Sequence, residues 1–151
     1  MQLRTLLAGS AMLALLAGCA SGPSDEGTGG EAIQAPSATY QGTLPCRNCD
    51  GIALTVTMEG EDQSAPAQRT FDLTAAYQNH PQNPPNENYS GNWDVLTGTA
   101  DNPEATVYEL VPNGEGQTYY FMRVNPQTLE LIDPQRRRFQ NNDMLQLTRQ
   151  Q

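Results

Sequence analysis

Ile52-Ala-Leu-Thr-Val-Thr-Met58 alternates apolar and polar or small residues: Ile52, Leu54, Val56 and Met58 on one register, Ala53, Thr55 and Thr57 on the other. Successive side chains of an extended strand point to opposite faces, so this period of two marks a strand with one face buried. The same rhythm recurs downstream. Phe71, Leu73, Ala75 and Tyr77 alternate with Thr70, Asp72 and Thr74, and Tyr89, Gly91, Trp93 and Val95 alternate with Ser90, Asn92 and Asp94. The stretches 106–111, 117–124, 129–132 and 144–149 are rich in β-branched or aromatic residues, and 40–44 adds a short first strand. Pro112-Asn113-Gly114, Asn125-Pro126 and Asp133-Pro134 punctuate them with turn chemistry. The segments 59–68 and 78–88 are polar and Pro-rich and read as long hairpin loops. No segment sustains a helical period. About eight strands, each with one apolar face, predict an all-β fold: a small antiparallel up-and-down barrel that closes its own edges, with a two-sheet sandwich as the alternative.

Upstream the composition changes. Arg4 precedes an apolar run over 6–17 that is broken only by Gly9 and Ser10. A run of about 12 residues suits a signal-peptide core and is too short to span a bilayer. It ends Leu16-Ala17-Gly18-Cys19, which resembles the lipobox of bacterial lipoproteins. Ala17 and Gly18 are small enough for a peptidase cleft, and the Cys19 thiol is the nucleophile that accepts a diacylglyceryl group. Residues 1–18 are therefore expected to be a signal peptide, with lipid on Cys19 holding the protein to a membrane that it does not cross. Ala20 rather than Asp follows that cysteine, which by the sorting rule of enteric bacteria implies the outer membrane. Residues 19–38 are Gly, Ser, Pro and acid with Ile33 the one large apolar residue. Such a stretch buries too little to offset its ordering entropy and is expected to be a disordered tether reaching roughly 25 Å. Residues 39–151 are then the folded domain.

Charge narrows the partners. Seventeen acidic residues face eight basic ones, all Arg, for a net charge of −9. Phosphate backbones would be repelled, so nucleic acid is excluded. Lipidation consumes Cys19 and leaves Cys46 and Cys49 as a pair in an oxidising compartment.

Tyr40-Gln-Gly42-Thr-Leu44-Pro45-Cys46-Arg-Asn-Cys49-Asp-Gly51-Ile52 carries the identity. This Y-x-G-x-L-P-C-x-x-C-x-G-I signature, shortly after a lipidated cysteine, resembles the opening of the N-terminal domain of the NlpE family, the copper-resistance and envelope-stress lipoproteins of Gram-negative bacteria. The resemblance runs over about 39–149 and implies a lipocalin-like barrel, a place in the cell envelope, a link to copper, and an envelope-stress signalling protein as partner. Two-domain members carry a second small barrel, and this chain is expected to stop short of one. Gly91-Asn92-Trp93 reads as a core Trp beside a Gly that makes room for it.

Four chemistries fit Cys46-Arg47-Asn48-Cys49. A local disulfide would pin the turn between the first two strands. A reduced pair offers two soft thiolates, enough for near-linear Cu(I), with Met58, Met122 or Met144 as further sulfur donors if one lies close. A thiol oxidoreductase would need a helix N-terminus at the motif, and here a strand follows. Zinc needs four ligands, which one C-x-x-C and a single histidine do not supply. His80 falls in a polar loop and reads as solvated. Arg136-Arg137-Arg138 reads as a solvated turn. No Ser/His/Asp set and no phosphate-cradling Gly loop is recognisable, so the expectation is a non-enzymatic protein with no cofactor beyond Cu(I). A lipocalin-like carrier for a lipophilic small molecule is the alternative function, because Phe71, Leu73 and Trp93 would either fill the barrel or line a cavity.

Overall fold

The computed structural model describes residues 36–151. The expected signal peptide, the expected lipid site Cys19 and the expected tether as far as residue 35 lie outside the described residues. Eight strands follow one another: β1 (Ser37–Leu44), β2 (Gly51–Glu59), β3 (Thr70–Gln78), β4 (Glu87–Thr97), β5 (Thr106–Pro112), β6 (Tyr119–Asn125), β7 (Thr128–Ile132) and β8 (Gln146–Arg149). Each pairs antiparallel with its chain neighbour, and β8 returns to β1 through Tyr40↔Arg149 and Gln41↔Thr148, so the sheet closes as an up-and-down barrel. The sandwich alternative is excluded by that closure.

The boundaries differ from the sequence expectation at several strand ends, three of them with a clear cause. β1 begins at Ser37, ahead of Thr39, because Ser37 and Ala38 pair with Glu59 and Met58. β4 begins at Glu87, inside the stretch read as loop, because Glu87 pairs with Ala75. Met144 belongs to a 3-10 turn over Asn142–Met144, which leaves β8 with four residues.

The interior is one apolar cluster drawn from every strand. Leu54, Val56, Phe71, Leu73, Leu110, Phe121, Leu129 and Leu147 are at most 2 % exposed, and they fill the middle of the barrel. The whole hydrogen-bonded barrel and its core lie within residues 37–149, so this segment contains what it needs to fold by itself.

Trp93 is buried and its Nε1–H donates to the Glu59 carbonyl at 2.9 Å. Its ring meets Tyr108 edge-on at 5.4 Å and carries the Arg69 guanidinium over its face at 5.5 Å. Arg69 is itself buried; it donates to the carbonyls of Asp62 and Ser64, both at 3.1 Å, and pairs with Asp94 at 2.7 Å. One guanidinium thus fastens the β2–β3 connection to β4. Gly91 has a different role from the one expected. A Cβ there would collide with the Val111 carbonyl oxygen, so Gly91 makes room for the β5 backbone and not for the Trp ring.

A second layer lies outside the barrel. On β7, Leu129 and Leu131 face inward, so Glu130 and Ile132 point out, yet they are 0 % and 3 % exposed. The connection from β7 to β8 folds back over them: Ile132 bridges to Arg138, and Ala100 N–H donates to the Arg136 carbonyl at 2.9 Å. The arginine triplet lies in a turn with Arg137 and Arg138 exposed, as expected, and it also fastens this flap. Arg138 grips Glu130 with two bonds of 2.8 Å, Arg137 pairs with Asp133 at 2.9 Å, and Arg136 Nη1 donates to the Thr97 carbonyl at 3.1 Å.

Candidate functional site

β1 ends at Leu44, and Pro45, which has no N–H to donate, helps to terminate its ladder. The next four residues close on themselves: Cys46 and Cys49 are disulfide-bonded, with their Cα atoms 5.3 Å apart. Both cysteines are half-buried, whereas Arg47 and Asn48 project into solvent. The turn is held from the other side as well. Asp50 N–H donates to the Gln78 carbonyl at 2.9 Å, and the Asn79 side-chain amide donates to the Asp50 carboxylate at 2.6 Å. The motif therefore sits on the rim of the barrel, tied to the β3–β4 connection.

What this arrangement can do follows from its surroundings. β2 starts at Gly51 directly after the motif, so no helix N-terminus lowers a thiol pKa. The Cys49 sulfur lies 3.3 Å from the Gly51 carbonyl.

The further donors considered from sequence are mostly elsewhere. Met58 is buried beside Ala38 and Phe71, six residues beyond Ile52 and so roughly 20 Å from the motif end of β2. Met122 lies on β6 opposite Val107 and Glu130. Met144 is 57 % exposed, just before β8 at the same end of the barrel as the cysteines. His80 lies in the connection that the Asp50–Asn79 bond reaches; its Nδ1 accepts from the Gln82 N–H at 3.1 Å and its ring meets Tyr77 edge-on at 5.9 Å. Among the described residues, no three His, Cys, Asp or Glu side chains gather to hold a metal ion. Two thiolates, which only the reduced pair would supply, fall short of a zinc site.

Sequence reasoning located the cysteine pair but missed Glu130, Arg69 and Glu87. Glu130 sits in an otherwise apolar strand, and only its 0 % exposure distinguishes it. Arg69 carried no motif, and Glu87 fell in a stretch read as loop.

An eight-stranded up-and-down barrel with a disulfide-bridged C-x-x-C on its rim defines a small lipocalin-like domain. Residues 40–142 match the family model described as the NlpE N-terminal domain, and the chain belongs to the NlpE family. Its class is that of an NlpE-like envelope protein. No curated protein and no solved structure matches the chain.

Proposed function

We propose that this protein is a non-enzymatic lipoprotein of a Gram-negative envelope, anchored through Cys19 to the outer membrane, and that it links copper and envelope stress through Cys46 and Cys49. The observation that carries the reading is the position of the pair. A disulfide on a rim turn can be opened without disturbing a barrel that is closed by its own ladders. By the chain-entropy estimate, so short a loop contributes only about 2 kcal/mol. Two electrons and two protons, from a dithiol reductant of the envelope, would convert it to two neighbouring thiols. The oxidised form offers no thiolate; the reduced form offers two soft donors for Cu(I). An envelope-stress signalling protein is the partner that would read the difference. The filled interior supports this reading over a carrier with a deep lipophilic cavity.

Titration of the reduced, folded protein with Cu(I) against a competing chelator tests the copper step. About one equivalent bound, and lost in Cys46→Ser/Cys49→Ser, is the expected result. Equal, weak binding by both forms would reject the copper reading and leave the pair a structural staple. Anchoring is tested by fractionation: Cys19→Ala should leave the membrane or accumulate as uncleaved precursor. Recovery of that variant as a mature membrane species would refute lipidation at Cys19.

A further inference from the structure

The rim that carries the cysteines surrounds a funnel of about 370 Å³ leading into the barrel. Its floor is apolar, formed by Leu54, Ala75 and Leu131, and its wall carries the rings of Tyr77, Tyr89 and Tyr119. One carboxylate stands among them. Glu87 is on the inward register of β4 that continues through Tyr89, Gly91 and Trp93. Tyr77 Oη donates to Glu87 Oε1 at 3.1 Å, and Tyr89 Oη donates to Glu87 Oε2 at 3.2 Å.

The bonding of this carboxylate is incomplete. Four lone-pair positions are available on an ionised carboxylate, and the two tyrosines occupy two of them. Among the described residues the ion pairs are Arg69–Asp94, Arg137–Asp133 and Arg138–Glu130, so no cation of the protein neutralises Glu87. Both tyrosine hydroxyls are held in the protonated, donating form: burial raises their pKa, and the neighbouring carboxylate raises it further. The funnel therefore presents a carboxylate with open acceptor positions, flanked by tyrosine side chains and backed by an apolar floor.

We propose that this funnel binds an amphipathic amine, with its ammonium on Glu87 and its alkyl part on the apolar floor. An ammonium supplies the charge and the N–H donors that Glu87 lacks. Its alkyl chain gains by leaving water against Leu54, Ala75 and Leu131. A neutral alcohol of the same length would gain only the second contribution, and a carboxylate would be repelled. The volume falls within the roughly 300–1,000 Å³ typical of small-molecule sites. No cysteine lines the funnel, so this proposal stands or falls separately from the copper reading.

The test is titration of residues 36–151 with n-hexylammonium, n-hexanol and n-hexanoate, followed by NMR. Hexylammonium should shift the resonances of Tyr77, Tyr89, Tyr119 and Leu131, and should bind at least about tenfold more tightly than hexanol, with hexanoate weakest. Glu87→Gln, which keeps the shape, accepts one tyrosine hydroxyl on its oxygen and donates from its amide to the other, should bring hexylammonium down to the level of hexanol. Equal affinity for the amine and the alcohol in the unaltered protein would overturn the proposal without recourse to any variant. Shifts confined to residues outside the funnel would overturn it as well.

Discussion

Glu130 is a carboxylate with no exposed surface, on the outer face of β7 where a strand residue would ordinarily meet water. Its two oxygens are both taken by Arg138, whose side chain remains 41 % exposed. Removing one partner of a buried pair leaves an uncompensated charge, which costs roughly 3–5 kcal/mol where water is excluded. Here the space vacated by Arg138 opens to solvent, so Arg138→Ala should cost less, about 2–3 kcal/mol in urea unfolding. Replacing both, Arg138→Leu with Glu130→Leu, should recover most of that loss, because no charge is then left stranded. Tyr108 gives the fold a dependence on alkali. Burial first, then the Asp62 carboxylate, pushes its pKa from the ordinary 10.0 up to about 12. The folded state thus holds this proton more tightly than the unfolded chain does. Its stabilising contribution is complete below pH 10 and is lost as the pH rises toward 12. Unfolding midpoints measured across that range should fall, and Tyr108→Phe should make the decline shallower.

At the scale of the strands, the seam between β1 and β8 is the shortest ladder in the barrel, registered only at Tyr40↔Arg149 and Gln41↔Thr148. Gly42 lies just beyond those pairs, and a Cβ there would collide with the Gln146 carbonyl and press on Leu147. The glycine of the family signature is therefore what lets the last strand approach the first. Gly42→Ala should cost on the order of 1–3 kcal/mol, as overpacking does. Hydrogen exchange should accelerate first at the amides of β8, whereas the β2–β3 ladder, paired over nine residues from Gly51 to Glu59, keeps its protection. A uniform acceleration across all eight strands would contradict this account. The period-two pattern made β2, β3 and β4 legible because each buries one face only. The start of β4 was hidden, since Glu87 and Asn88 are polar residues that join a strand through register with Ala75 and Thr74 and not through hydrophobicity. β8 was overestimated for the opposite reason: Leu145 is buried, but it belongs to the chain just before the strand.

For the whole molecule, the folded unit needs Ser37 and Ala38, because both pair with β2, and Pro36, whose carbonyl accepts the Gly60 N–H at 2.8 Å. A chain beginning at residue 36 should keep the thermal midpoint of the longer protein. One beginning at Thr39 should lose a few degrees, in keeping with the loss of roughly 1 kcal/mol; equal midpoints would show that the first turn of the barrel contributes nothing. The sequence by itself determined the class of fold and the location of the disulfide pair. A one-sided strand must alternate, eight such strands in one short chain favour closing their edges, and two cysteines three residues apart can bond without help from the rest of the fold. Only the tertiary structure decided the remainder. Whether Glu130 lies in water or under an arginine, whether Gly91 serves a ring or a neighbouring backbone, and whether Glu87 joins two tyrosines all depend on how the strands meet in space. Local composition carries no record of those meetings, because a polar side chain is compatible with solvent and with a buried partner alike.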